Sequence, residues 1–288
     1  MYTCDLITSS LITAYGGPGV EVPEAQITRT RHGRYVIGSI GPHTSPGRWI
    51  NSAVAWGTPI RRNAQRIIEV QYQGKWVLIN KLPIWCKQYP NDPAGATLAY
   101  LHAYESLLTR IQTQRFGIKD RMQLPAPFNS YELPGYWTLN DFGRLAIKYF
   151  EDKNDNRKMD QKEALLSDFM HTTPDEELET MLGQKLRSLQ PMELGTSHGC
   201  IHMIPNVLQS WVAKGYLRVG GTLEIHRYTD KRILPRLERA VARSGIEVHF
   251  YPGAGFTRDI GYGLGAGYIG LYRVTKKQLT SPLHALHR

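Results

Sequence analysis

Three cysteines in 288 residues, Cys4, Cys86 and Cys200, leave room for at most one disulfide and oblige at least one thiol to stay free. A chain without a disulfide framework must hold itself together by burying apolar surface. With 41% hydrophobic and 21% charged residues this one has a globular composition, which excludes fibrous, disordered and low-complexity classes. At roughly 150 residues per domain the length suits about two domains, or one with a large insertion. No uninterrupted apolar run approaches the ~18–20 residues of a spanning helix, so no membrane span is expected. The start MYTCDLITSSLITAYGG carries Asp5 and no early Lys or Arg, unlike a secretory signal; export would use another route, or the segment is trimmed. The net charge of +10 favours an anionic partner: nucleic acid, a wall polymer or a membrane surface.

The local pattern is mostly β with short helices, an α+β class. Candidate strands run over Arg34 to Ile40, Ala53 to Ile60, Ile67 to Tyr72 and Lys75 to Asn80. Gln73-Gly74 joins the last two as a tight hairpin. Asp92-Pro93 supplies a cap and first-turn proline for a helix over 94–116 with Leu98, Leu101, Leu108 and Ile111 on one face, stopped by Gly117. Met122 to Pro134 reads as a linker or long loop. Apolar runs follow at Tyr136 to Leu139, Leu145 to Phe150 and Leu165 to Met170. Pro205 opens a second helix carrying Leu208 and Trp211 and ended by Gly215, and Thr222 to Tyr228 is a strand. A basic helix is expected around Ile233 to Arg243, then a strand at Ile246 to Tyr251 and a glycine-rich end. These divide the chain into 1–125, a β-rich region of unknown role with one helix; 126–230, which holds the chemistry; and 231–288, an extension.

The segment Thr196-Ser197-His198-Gly199-Cys200-Ile201-His202-Met203 places a thiol between a glycine and a helix start, among polar and ionisable neighbours. A thiolate, not a thiol, is the nucleophile, and a cysteine becomes reactive beside a histidine or near a helix N-terminus. Gly199 lets the backbone turn tightly, so that amides around Cys200 can face an oxyanion. A buried core thiol is the plain alternative for Cys200 taken alone.

This stretch resembles the Ser-His-Gly-Cys motif of L,D-transpeptidase catalytic domains, the YkuD-type fold of peptidoglycan cross-linking enzymes. The likeness continues through Pro205 to Lys214, Gly215 and Gly221-Thr222-Leu223-Glu224-Ile225-His226. Met170-His171-Thr172-Thr173-Pro174 looks like the family's upstream Ile-His-Gly-Thr-Pro, and Pro134-Gly135-Tyr136-Trp137-Thr138-Leu139 like a further strand. The resemblance covers about residues 164 to 228. It implies that Cys200 is the nucleophile and His171 its base, and that Ser197, His198 and Gly199 shape the loop and oxyanion site, His198 either catalytically or by holding the loop. His202 stands where the family usually has Arg or Asn, a possible substrate contact. Thr172 replaces a small residue. His171 and Cys200 lie 29 positions apart, about ten more than usual, with Asp175 to Leu189 an amphipathic helix placed to cap the cleft. The implied activity is thioester acyl transfer on peptidoglycan stem peptides, ending in cross-linking, D-amino-acid exchange or L,D-carboxypeptidase hydrolysis. It needs no cofactor, is open to carbapenems as covalent inhibitors, and acts at the cell envelope or periplasm. Two further readings stay open: a secreted antibacterial effector, and a decayed wall-binding scaffold.

Other signals compete. His198 and His202 have the i, i+4 spacing of a zinc pair, completed by His171 or His226, although Gly199 stands where such hydrolases carry a glutamate. Asp152, Asn154, Asn156, Asp160 and Glu163 occupy positions 1, 3, 5, 9 and 12 of a calcium loop, with Arg157 at the turn position that favours glycine. The stretch Gly261 to Gly267 lacks the strand and helix of a dinucleotide loop and reads as a flexible or tight turn. No nucleic-acid reader motif accompanies the positive charge.

Overall fold

In a computed structural model the structure describes residues 1–7, 11–18, 21, 28–130, 132–188, 192, 194, 197–240, 243–255 and 265–277. Its strands are β1 (Tyr2–Leu6), β2 (Ile12–Gly16), β3 (Gly33–Gly41), β4 (Ile60–Arg62), β5 (Ile68–Tyr72), β6 (Lys75–Leu78), β7 (Ala146–Phe150), β8 (Leu165–His171), β9 (Ile201–His202), β10 (Thr222–Ile225), β11 (Arg236–Arg239), β12 (Gly245–Tyr251) and β13 (Gly265–Lys276). The helices are α1 (Trp85–Gln88), α2 (Pro93–Arg110), α3 (Pro174–Leu186) and α4 (Pro205–Ala213).

Strands β13, β12, β10, β3, β7, β8, β9 and β2 pair in that order, and β2 returns to β13, closing a barrel. Closure removes the free edges that an open sheet would present. The far half of β13 pairs instead with β1, which carries β11 on its other side. Alternating residues such as Tyr35, Ile37, Leu223, Ile225, Val248, Phe250, Ile269 and Leu271 form one apolar core, against which Leu208 and Trp211 of α4 pack. The opposite face of β10 and β12 is charged: Arg34 and Arg239 both pair with Glu224 and Glu247. The three sequence stretches share this sheet, β1 to β3 coming from the first, β7 to β10 from the second and β11 to β13 from the third. The boundaries at 125 and 230 therefore fall within one sheet.

A second core belongs to the excursion between β3 and β7. Trp85, Tyr100, Tyr104, Leu107, Trp137 and Phe128 pack there with the small sheet β4–β5–β6, and Leu178 and Leu182 of α3 complete it. Gln73 and Gly74 both have positive φ, 49° and 76°, the signature of a type I′ hairpin turn. Asp92 caps α2 by accepting the Gly95 amide.

Five sequence expectations need correction. Of the stripe expected on α2, Leu108 and Ile111 are buried and Leu101 packs on the second core, but Leu98 is 54% exposed, and Tyr100, Tyr104 and Leu107 complete the inner face. Ala53 to Pro59 forms turns, only Ile60 entering a strand, and Tyr136 to Leu139 contributes a single bridge to Pro59, with Trp137 inserted in the second core. Ile233 to Ala240 is not helical: Pro235 interrupts it, and Arg236–Arg239 pairs with β1, while 241–242 lie outside the described residues. The described part of the glycine-rich end is strand β13, where Gly267 lies so close to Tyr251 that a Cβ would meet its carbonyl oxygen at 2.3 Å; 261–264 lie outside the described residues. Among the described residues no helix is long and apolar enough to cross a membrane. Leu223, fully buried in the barrel, gives a test of the core: Leu223→Ala is expected to lower stability by roughly 2–5 kcal/mol in urea unfolding.

Candidate active site

The loop from residue 197 leads into β9, which pairs in parallel with β8, setting Met170 against Ile201 and His171 against His202. A parallel pair needs a crossover of a dozen or more residues, and α3 supplies it. This is the physical content of the long interval between His171 and Cys200. Thr173 caps α3 in a reciprocal box with Glu176.

Cys200, His171, His198 and His202 line one cavity of about 460 Å³ between the two cores. Thr173, Pro174 and Asp175 at the start of α3, and Ala103, Leu107 and Arg110 of α2, form further walls. The N-terminal stretch, without a role in sequence, thus supplies one side of the cleft. Arg110 is paired with Asp175.

The turn around the thiol is tightly determined. Gly199 has φ 124°, and a Cβ there would meet Thr28 Oγ1 at 2.6 Å and Asp168 Oδ1 at 3.2 Å. The Thr28 hydroxyl donates to the His198 carbonyl at 2.8 Å. Ser197, fully buried, donates to the Cys200 carbonyl and accepts the Gly199 amide at 3.1 Å. Ser197 and Gly199 thus shape the loop, but the Gly199 amide is already bonded and does not face an oxyanion. The Phe169 amide donates to Cys200 Sγ at 3.4 Å.

His171 is almost fully buried. Its Nδ1 lies 2.7 Å from the Thr172 carbonyl, which can only accept, so Nδ1 carries the proton and Nε2 holds the free lone pair. Burial, with His202 nearby, pushes the His171 imidazole down to about 3. Burial likewise pushes the Cys200 thiol up to about 11, the Phe169 amide opposing and Asp168 adding to the rise. Both groups are therefore neutral at pH 7. The His202 ring meets His171 edge-on, centroids 4.8 Å apart, and its Nδ1 sits 3.3 Å from the buried Glu176 carboxylate.

The metal readings fare differently from the thiol. Residues 198–202 run through a bend into β9, so the helical spacing of His198 and His202 does not arise. His226 lies elsewhere, its Nε2 3.0 Å from His249 Nδ1. Among the described residues the one group of three candidate ligands is Glu224, His226 and His249. Arg34 and Arg239 already neutralise Glu224, so a divalent cation would be set against two guanidiniums, and the site does not fit one. In the calcium loop Asp152, Asp160 and Glu163 form no such group. Their oxygens accept local donors instead: Asp152 the Arg157 amide, Asp160 the Asn154 side chain, Glu163 the Lys153 amide. The Asn156 side chain accepts the Lys158 amide, and Arg157 points to the Gly220 carbonyl and Thr222.

Sequence reasoning missed Asp168, Glu176, Trp49, Asn51 and Asp141. Only Glu176 had a local signal, the Thr-x-x-Glu capping pattern; the others are brought in by distant elements.

Two outcomes follow. Thiolate appears only as pH rises toward the raised value near 11, so iodoacetamide labelling of Cys200, resolved by peptide mass spectrometry, should climb about tenfold per unit from about pH 7 to about pH 10. A plateau near neutrality would reveal a standing thiolate–imidazolium pair instead. Gly199→Ala is expected to cost at least about 1–3 kcal/mol in urea unfolding from backbone strain alone, whereas Gly47→Ala, whose Cβ meets nothing within 4 Å, should be near neutral.

No protein-family model, curated protein or solved structure matches this chain.

Proposed function

We propose that the protein is a cysteine acyltransferase of the L,D-transpeptidase kind, acting on peptidoglycan stem peptides at the cell envelope. The sequence likeness over 164–228 motivates the substrate class. The observation that carries the chemistry is the meeting of Cys200 and His171 in one cleft, with Nδ1 of His171 tied to a carbonyl and its Nε2 left as the base.

In this reading the thiol proton passes to His171 Nε2 as Sγ attacks the carbonyl carbon of the third stem residue. General-base transfer during attack suits a pair that starts neutral. The carbonyl π electrons move to oxygen. With the Gly199 amide occupied by Ser197, charge on that oxygen falls to the cleft's remaining polar groups, His198 and His202 among them. Collapse expels the terminal D-residue's amine, which takes the proton from His171, and leaves a thioester on Cys200. An incoming amine or water then attacks, His171 accepting its proton and returning it to the departing sulfur. An amine or water resolves the same thioester, so cross-linking, exchange and hydrolysis share one intermediate.

The test is turnover of purified stem tetrapeptide. Cys200→Ala should lose activity by several orders of magnitude and His171→Ala by about 10²–10⁴, in proteins with unchanged circular dichroism. A carbapenem should add its mass to Cys200 in the parent protein and not in Cys200→Ala. Folded parent protein with neither turnover nor adduct would leave the scaffold reading, and a fully active Cys200→Ala would remove the nucleophile assignment.

A further inference from the structure

The wall of the cleft formed by Trp49, Asn51 and Asp141 has no part in the acyl-transfer chemistry. Trp49 lines the cavity yet keeps 44% of its surface exposed. On the wall of a mostly apolar cleft, a partly open indole offers a flat apolar face for a ligand to cover. The segment that carries it is rigidly held. The Trp49 amide donates to the Ser45 carbonyl at 3.1 Å and its carbonyl accepts the Ser52 amide at 3.1 Å. Next to it, Trp85 Nε1 donates to the Ile50 carbonyl at 2.7 Å and Trp137 Nε1 to the Asn51 carbonyl at 2.8 Å. Two buried tryptophans thus fix the backbone that presents the exposed one. Arg48 lies over the Trp49 ring, 5.2 Å from its centroid.

The neighbouring polar groups are arranged for a ligand. The Asn51 side-chain amide has no hydrogen-bond partner among the described residues and lines the cavity. The Asp141 carboxylate accepts the buried Ser52 hydroxyl at 2.6 Å through Oδ2, while the same hydroxyl oxygen accepts the Asp141 amide at 3.0 Å. Asp141 Oδ1 takes no side-chain hydrogen bond among the described residues.

We propose that this wall is a saccharide subsite, in which Trp49 takes the apolar face of a pyranose ring while Asn51 and Asp141 hydrogen-bond the groups on its rim. A pyranose presents axial C–H groups on its faces and hydroxyl or acetamido groups round its edge. A planar aromatic beside an amide and a carboxylate matches that division. An aliphatic side chain would use the indole but leave the amide and carboxylate unpaired, at a cost. A phosphate-bearing ligand would want cations in the lining, where Arg110, the one Lys or Arg, is already paired with Asp175 and Asp141 adds a carboxylate; Arg48 stands over the Trp49 ring outside the lining. The cavity, about 460 Å³, lies in the range of small-ligand sites. Resting on the acyl-transfer reading, the sugar belongs to the glycan strand that carries the stem peptide. The enzyme therefore selects peptide attached to glycan over free peptide.

Two measurements separate this proposal from that reading. With free stem tetrapeptide and with the same peptide on its disaccharide as substrates, Trp49→Ala should raise KM for the glycosylated one about tenfold, a loss of about 1.4 kcal/mol. It should leave kcat/KM for the free peptide within about twofold, and Trp49→Phe should recover most of the loss. Equal effects on both substrates, or none, would overturn the subsite. Independently of turnover, Cys200→Ala protein is titrated calorimetrically with peptide-free glycan strands. Saturable binding, weakened at least about tenfold by adding Trp49→Ala, supports the subsite even if no peptide is turned over. Absence of saturable binding overturns it even if peptide is.

Discussion

The parallel pairing of β8 with the two-residue β9 is the constraint on which the rest of the site depends. It sets His171 directly against His202 and lets the Phe169 amide reach Cys200 Sγ. A slip of one residue would send Cys200 to the opposite face of the sheet. Because parallel strands cannot be joined by a tight turn, the pairing also demands α3, and the start of α3 does more than connect. Its capping residue Glu176 bonds the Thr173 amide through Oε2 and presents Oε1 to His202. One helix cap therefore anchors both a connection and a wall of the cleft. On the other side of the thiol, Gly199 is pinned between Thr28 and Asp168 with a φ that disfavours any side chain.

The cleft lies on the seam between the barrel core and the aromatic core of the excursion. That position explains its electrostatics. Each core withdraws water from the groups at the seam, which disfavours charge on acids and bases alike. The Cys200 thiol rises, the His171 imidazole falls, and the Asp141 and Asp168 carboxyls are raised mainly by burial. The densest set of fixed charges is placed elsewhere, in the Arg34, Arg239, Glu224 and Glu247 network on the outer face of β10 and β12. The molecule thus keeps this ionic cluster apart from Cys200 and His171, with the Arg110–Asp175 pair at the cleft wall.

What could be seen in sequence was local. The Gln73-Gly74 turn, the Asp92-Pro93 helix start, the α4 helix and strands β3, β5, β7, β8, β10 and β12 are each specified by a few adjacent residues. The closure of β2 on β13 joins segments about 250 positions apart and leaves no local trace. Arg236–Arg239 shows the override in small: Leu, Glu and Arg favour helix, but pairing with β1 wins. For the site, Cys200 and His171 carried a motif and lie in one cleft, whereas Trp49, Asn51 and Asp141 carried none. Their meaning depends on Trp85 and Trp137 fixing one loop and Ser52 tying the other, which only the folded second core brings about. The zinc spacing failed for the converse reason, since His198 and His202 straddle a turn and a strand rather than a helix.

The central claim is that Cys200 carries the acyl group between donor and acceptor. The most direct measurement is rapid acid quench of the protein mixed with stem tetrapeptide, followed by intact and peptide-resolved mass spectrometry. The account predicts a tripeptidyl adduct confined to the peptide containing Cys200, discharged by hydroxylamine as a thioester is, and matched by release of one D-amino acid. Turnover of the tetrapeptide with no adduct at Cys200 at any quench time, and undiminished after its replacement by alanine, would contradict it.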